Sequence, residues 1–215
     1  MSFEIDVSCQ CKTQSVDLKL IQAAIEHGLR IEGVESAVLS VSVVDNATIH
    51  ELNRQHLNHD YPTDVISFQL DWFSLNETAD EGDWGEDEGD SDDAAITETS
   101  NTAPFAEAKP AAVSGRSAGC GIEGEIIVSA EYAAESAATV GWTMQDELTL
   151  YAVHGMLHIC GYDDLTPDEK FIMRARERAV LEGLGLTPQH PADEPTSDSS
   201  DDAVINVSNV SEAGQ

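Results

Sequence analysis

Basic residues are scarce in this sequence, and several other features are missing. Lys and Arg number 10 against 41 Asp and Glu in 215 residues, a formal net charge of −31. This imbalance argues against broad, charge-driven binding to duplex nucleic acid. No apolar run is long enough to cross a bilayer, so we do not expect an integral membrane protein.

Cysteine is also rare. The four cysteines are scattered and lack the paired spacing of a disulfide framework or a zinc ribbon. The first residues, 1–6, lack a positive region followed by an apolar run, which disfavours a secretory signal. We therefore expect the protein to reside in a reducing cytoplasm.

The acidic residues are concentrated in two segments. Residues 71–119 contain 13 Asp and Glu, and residues 187–215 contain 6 with no Lys or Arg. Both segments have few apolar side chains to bury, so we expect a disordered insertion and a disordered tail. Composition is compatible with plain solvated coil and with acidic arms that repel wrong partners or bind basic ones. Residues 1–186, without the insertion, are expected to form one domain.

Hydrophobic periodicity predicts the element order β-α-β-α-β, the insertion, and then β-α-α-α. This order favours an α/β domain with a mixed β-sheet packed with helices. Alternating or β-branched runs predict strands at 3–7, 37–44, 64–70 and 124–129. Apolar residues at helical spacing predict helices that begin near Asp17, Asn46, Glu131, Thr143 and Pro167.

The segment 154–164, HGMLHICGYDD, carries the clearest chemical pattern. His154 and His158 are four residues apart on a predicted helix, so both imidazoles project from one face and can reach one divalent ion. Gly161 is placed to end the helix and turn the chain back, which brings Asp164 toward the same ion. Two His, one carboxylate and an open position form a catalytic zinc pattern at the helix C-terminus.

Other interpretations of this segment stay open. The two His alone are also compatible with a surface pair or a satisfied core pair. Asp163 competes with Asp164 for the third ligand position. If Asp164 binds the ion, Asp163 is expected to orient one of the ligands instead. Zinc peptidases of the HExxH pattern place a Glu general base directly after the first His, where this chain has Gly155.

The same segment resembles the signature of the YbeY-type endoribonucleases, also called rRNA maturation factors. That signature, H-G-x-L-H-x-x-G-Y-D-H, matches residues 154–164 at every fixed position but the last. Leu52-Asn53 followed by residues 60–68, DYPTDVISF, is similar to the family pattern LN…D-x-P-T-[DN]-V-[LI]-S-F.

Two further segments support the resemblance. Residues 124–129, GEIIVS, are similar to the family strand G-[DE]-I-x-I-S. Met173 and Glu177 fit its M-x-x-x-E pattern. The resemblance covers about residues 3–70 and 121–186 and leaves out both acidic segments.

The resemblance implies a small α/β sandwich with one zinc ion in a cleft, held by His154, His158 and Asp164. It implies hydrolysis of single-stranded RNA, tied to 3′-end maturation of 16S rRNA and to ribosome quality control. The implied partners are a single-stranded rRNA precursor and the ribosome or its small-subunit proteins, with no DNA and no membrane.

Two positions depart from the family pattern. Asp164 stands where the family usually has His; a carboxylate is a normal zinc ligand, but its charge weakens the ion as a Lewis acid and favours harder ions. Leu57 stands where the family usually has an Arg that can hold a phosphate. Arg54, one helical turn earlier, and the nearby His56 and His59 are candidate substitutes.

Three functions are compatible with these observations. The favoured one is a metal-dependent, single-strand-specific endoribonuclease, for which Arg54 and Asp163 are the candidate catalytic residues. The second is a zinc metalloprotease-like hydrolase, which lacks its expected base. The third is a non-catalytic ribosome-associated factor in which a structural metal braces the fold.

Overall fold

The computed structural model describes residues 1–11, 15–74 and 115–188. Within these ranges the chain forms four strands and five helices in the predicted order, which confirms the α/β assignment. The elements are β1 (Ser2–Cys9), α1 (Leu18–Glu32), β2 (Ser36–Val44), α2 (Asn46–Leu57), β3 (Val65–Ser74), β4 (Cys120–Ser129), α3 (Ala130–Val140), α4 (Met144–Ile159) and α5 (Pro167–Glu182).

The strands form one mixed sheet in the order β1-β2-β4-β3. β1, β2 and β4 are parallel, and β3 is antiparallel to β4. Parallel neighbours need a long crossover, and α1 supplies it between β1 and β2. The predicted mixed sheet is thus confirmed.

Alternating side chains of β4 contribute to two apolar layers. Ile126 and Val128 belong to a large core that includes residues of α1, α3, α4 and α5, whereas Ile127 packs against a smaller cluster with Ile49 of α2. Successive residues of a strand face opposite sides, so the sheet lies between α2 and the other helices.

Helix α4 lies at the centre of the large core. It contacts α1, α3, α5 and the sheet, and most of its side chains are buried. Its start is fixed by a capping box in which Thr143 and Asp146 each satisfy the other's backbone N–H. Despite this apolar character, no helix in the described ranges is both long and apolar enough to cross a membrane.

Helix α2 begins at the predicted Asn46, but the residue that caps it is the one before. Asp45, not Asn46, is the N-cap, because its carboxylate accepts a hydrogen bond of 2.8 Å from the Thr48 N–H. Asn46 is the first residue of the helix, and its side-chain oxygen accepts a hydrogen bond of 2.6 Å from Ser129 Oγ. The asparagine therefore ties α2 to the end of β4.

Both ends of the acidic segment 71–119 belong to the folded domain, which corrects the predicted bounds of the insertion. β3 continues to Ser74, and the ring of Phe73 lies directly over Gly121 of β4, where a side chain would overlap it. Residues 115–119 form a turn whose Gly119 N–H donates to the Gly33 carbonyl at 2.9 Å. The rest of the predicted insertion, 75–114, and the predicted tail from 189 onward lie outside the described residues.

Candidate metal centre

Two imidazoles meet at the C-terminal end of α4. The Nε2 atoms of His154 and His158 are 2.9 Å apart. The helix ends at Ile159, and Gly161, with φ of +85°, turns the chain back. A Cβ on this glycine would lie 2.8 Å from the ring of Trp72. The turn thus requires glycine both for its backbone conformation and for space.

The turn brings Asp164 close to the two imidazoles. Its Oδ1 atom is 3.9 Å from His158 Nε2, and one donor atom from each of the three side chains lies within 4.8 Å of the other two. Donor atoms around a tetrahedral zinc ion with bonds of about 2.1 Å are separated by about 3.4 Å. The separations of 2.9 and 3.9 Å lie on either side of this value, so the three side chains are a candidate ligand set for one divalent ion.

Glu177 of α5 orients His154. Its Oε1 atom is 2.6 Å from His154 Nδ1, and the Glu177 side chain is buried. Burial alone disfavours the charged imidazole, but the hydrogen bond and charge of Glu177, with the charges of Asp164 and Asp64, raise the pKa of His154 above its ordinary value. A carboxylate behind a ligating imidazole fixes the ring and raises its basicity.

His158 is held by the backbone. Its Nδ1 is 3.0 Å from the Tyr162 carbonyl oxygen, which only accepts, so Nδ1 carries the proton and Nε2 keeps its lone pair in the neutral ring. Burial and the neighbouring His154 lower the pKa of His158 below its ordinary value. With both Nδ1 atoms facing acceptors, the two Nε2 atoms are directed at each other, within hydrogen-bond distance. Together they form a candidate pair of metal ligands.

A buried ionic cluster supports the turn that carries Asp164. The Tyr162 hydroxyl donates to Glu32 Oε2 at 2.7 Å, and Arg176 Nε donates to Glu32 Oε1 at 2.7 Å. Burial and Glu32 raise the pKa of Tyr162 to about 12, so the hydroxyl keeps its proton. Arg116 donates to the Gly161 carbonyl at 2.7 Å and covers the Tyr162 ring. The turn is thus fastened to α1, to α5 and to the segment before β4.

The three candidate ligands lie in the wall of an open cleft of about 440 Å³. A second cleft of about 140 Å³ adjoins it and shares Asp64, His154 and Asp164 with it. The larger cleft is bounded by the end of α2, the first half of β3 and the end of α4. Its lining also includes Leu57, Val65, Ile66, Ser67, Gln69, His158 and Ile159.

The sequence of the chain matches a known protein family. A family model described as Endoribonuclease YbeY matches residues 6–185. The chain belongs to this family. The Endoribonuclease YbeY of Exiguobacterium sp. is 33% identical over 165 residues, 76% of this chain and 84% of that protein. The protein of the same name from Listeria monocytogenes serotype 4b is 36% identical over 167 residues, covering 78% and 83%, and that of Rhodopirellula baltica is 32% identical over 198 residues, covering 91% and 78%.

The predicted substitutes for the family's usual Arg line neither of these two clefts. Leu57, at the family's Arg position, does line the larger cleft. Arg54 is exposed and pairs with Glu51 of its own helix. His56 packs against Phe68 and His59 stacks on Tyr61. Their contacts therefore give none of the three substitutes a place beside the candidate ligands.

Asp163, the other candidate catalytic residue, supports the backbone of the turn. Its Oδ1 atom accepts a hydrogen bond of 2.8 Å from the Asp164 N–H. Asp163 lines neither cleft, whereas Asp164 lines both. Of the two neighbouring aspartates, Asp164 is therefore the one that groups with the imidazoles.

The roles of Asp64 and Glu177 were not predicted from the sequence. Both stand in segments that carry the family resemblance, but neither is close in sequence to the His pair. Glu177 contacts His154, and Asp64 lines both clefts with its Oδ1 accepting from Thr63 Oγ1 and the Val65 N–H at 2.8 Å each. The available signal was that both residues stand at acidic positions of the family patterns D-x-P-T-[DN]-V and M-x-x-x-E.

The position after His154 faces the sheet. A Cβ added to Gly155 would lie 2.9 Å from Ile126 and 3.0 Å from Val65. There is no room at this point for the Glu side chain that HExxH peptidases use as a general base. The close approach of α4 to the sheet gives this glycine a packing role.

Proposed function

We propose that this member of the YbeY endoribonuclease family is a metal-dependent endoribonuclease that cuts single-stranded RNA. Its resident ion would be one Zn²⁺ held by His154, His158 and Asp164. The observation that carries the proposal is that three donor atoms converge in the wall of an open cleft. An ion at that position is open to a substrate, whereas a purely structural zinc ion has four protein ligands.

The residues around the ligands prepare the site for phosphodiester hydrolysis. A bound zinc ion supplies Lewis-acid chemistry, activating water and stabilising negative charge on a phosphate. Glu177 and the Tyr162 carbonyl orient the two imidazoles so that their Nε2 atoms point to a common position. Asp64, held by two hydrogen bonds, adds negative charge that favours a cation there.

The preference for a single strand follows from charge and shape. A duplex is held largely by many contacts between phosphates and basic residues, and this chain has a net charge of −31. A single strand presents unstacked bases and a flexible backbone that can enter a local cleft. From the family we further propose action on a 16S rRNA precursor at its 3′ end, a part in ribosome quality control, contact with small-subunit proteins and a cytoplasmic location.

Cleavage of defined RNAs by the zinc-loaded full chain tests the proposed activity. We expect the single-stranded RNA to be cut and the matching duplex to be spared. A chelator should abolish cleavage and added zinc should restore it. His158→Ala should reduce cleavage to background, and His50→Ala, which alters an exposed His paired with Asp60, should cut like the wild type. Equal cleavage by the His158 variant and the wild type would refute the proposal.

The two alternative functions have separate tests. Gly155 argues against a metalloprotease, because the site of its base is closed by packing; chelator-sensitive digestion of casein would revive that interpretation. If the metal only braces a ribosome-associated factor, Asp164→Ala should lower the melting temperature as much as zinc removal does and leave RNA cleavage unchanged.

A further inference from the structure

Positive charge is unevenly placed around the metal ligands. Among the described residues, the lining of the larger cleft contains no Lys or Arg. The smaller cleft contains two, Lys170 and Arg174 of α5. Because the clefts share Asp64, His154 and Asp164, these two basic side chains lie on one side of the candidate ligands.

Helix α5 presents the two basic residues together. Lys170 and Arg174 are four residues apart, so they lie about 6 Å apart along one face of the helix. The orientation of α5 is fixed by Met173 and Glu177, which are buried, and by the contact of Glu177 with His154. The same packing therefore orients an imidazole ligand and directs two basic residues to the adjoining cleft.

None of the other five arginines in the described ranges lines either cleft. Arg178 is exposed, and each of the other four bonds a carboxylate or a backbone carbonyl. These pairs are Arg30 with Glu26, Arg54 with Glu51, Arg116 with the Gly161 carbonyl, and Arg176 with Glu32.

We propose that Lys170 and Arg174 form a phosphate-binding subsite that holds the RNA strand on the α5 side of the metal ligands. The proposal rests on the endoribonuclease function proposed above. The carboxylates of Asp64, Asp164 and Glu177 line this part of the site, so a polyanion needs local positive charge to approach. Arg174 offers a forked guanidinium to a phosphate, and Lys170 offers a compact ammonium.

Single-turnover cleavage of a labelled single-stranded RNA by the zinc-loaded full chain tests the subsite. We compare the wild type with the double variant Lys170→Gln/Arg174→Gln. The control is Lys19→Gln/Arg30→Gln, which removes the same charge from α1, outside both clefts. The measured quantities are the half-saturating protein concentration, the maximal rate, and the dependence of each on salt.

The subsite predicts a change in RNA binding that exceeds the change in rate. The half-saturating concentration of the α5 double variant should rise about tenfold or more, since a hydrogen bond to a charged group contributes about 1.5–3 kcal/mol. Its logarithmic salt dependence should fall by about 0.7 for each phosphate that the variant no longer neutralises. Zinc stoichiometry should stay at the wild-type value. The charge-preserving double variant Lys170→Arg/Arg174→Lys should bind RNA nearly as the wild type does.

Two outcomes overturn the proposal. One is an α5 double variant whose half-saturating concentration and salt dependence equal those of the α1 control. The other outcome combines two results. The wild type leaves RNA intact, which refutes the proposed activity, and fluorescence anisotropy shows that the α5 substitutions leave RNA binding unchanged. If the double variant does not fold, as judged by circular dichroism and zinc content, Lys170→Gln alone gives the same comparison against Lys19→Gln.

Discussion

At the scale of single residues, the site depends on which nitrogen of each imidazole is restrained. His154 Nδ1 faces the Glu177 carboxylate and His158 Nδ1 faces the Tyr162 carbonyl, so both Nε2 atoms converge. The spacing of the two His was sufficient to predict that they share a helix face. The Glu177 contact was not predictable in the same way, because 23 residues and a change of helix separate it from His154.

Glu177→Gln should weaken zinc binding without removing a ligand. The amide keeps the size of the side chain but loses the charge that orients His154 and raises its basicity. We expect a 10–100-fold reduction of zinc affinity, measured by competition with a chromophoric chelator. Glu182→Gln, an exposed change on the same helix, is the matched control. Identical zinc affinities for the two variants would contradict the orienting role.

Asp164→His should shift the metal preference of the site. A third imidazole replaces a harder, charged oxygen ligand, so affinity for Mn²⁺ should fall relative to Zn²⁺. The ratio of the two affinities, measured by the same competition method in wild type and variant, checks this. An unchanged ratio would indicate that Asp164 does not touch the ion.

At the scale of elements, the candidate metal centre is made by the end of α4 and the turn that follows it. The sequence predicted this helix, its start near Thr143 and its end before Gly161, because periodicity, Thr143 and Gly161 are local signals. It did not predict the strand order β1-β2-β4-β3 or the extension of β3 to Ser74. Those features depend on contacts such as Phe73 with Gly121 and Trp72 with Gly161, which join distant parts of the chain.

Gly161→Ala should damage the turn more than Gly141→Ala does. Both glycines have positive φ, +85° and +75°, so either change costs about 1–2 kcal/mol of backbone strain. Only Gly161 also faces a ring, that of Trp72, and this overlap adds about 1–3 kcal/mol. Urea denaturation of both variants measures the difference.

The same pair of variants separates stability from site geometry. Gly161→Ala should also lower zinc affinity, because it displaces the turn that carries Asp164. Gly141→Ala should leave zinc affinity unchanged, since nothing lies within 4 Å of its added Cβ. Equal decreases in stability and equal affinities would show that the Trp72 contact has no part in forming the site.

At the scale of the whole molecule, a buried ion pair joins the two halves of the chain. Glu32 of α1 is fully buried and bonds Arg176 of α5 across 144 residues, with Tyr162 as a third member. No local pattern in the sequence indicates such a pairing, so it was not predictable from spacing or periodicity. The pair fixes α5, and with it Glu177, relative to α1 and the turn that carries Asp164.

Arg176→Met should destabilise the protein by about 3–5 kcal/mol in the presence of saturating zinc, because it leaves the Glu32 carboxylate buried without a cation. Adding Glu32→Gln should recover part of this stability, since the amide is neutral and still accepts from Tyr162. Urea denaturation of the single and double variants measures both effects. A double variant less stable than the single one would contradict the ion-pair role of this cluster.

The most direct test of the proposed metal centre is a zinc titration of His154→Ala, His158→Ala and Asp164→Ala beside the wild type and His50→Ala. We expect one tightly bound zinc ion per chain for the wild type and for the His50 variant. Each of the other three should bind zinc more than about 100-fold more weakly, because each removes a ligand rather than a supporting group. Wild-type affinity in Asp164→Ala would contradict the claim that these three side chains hold one ion.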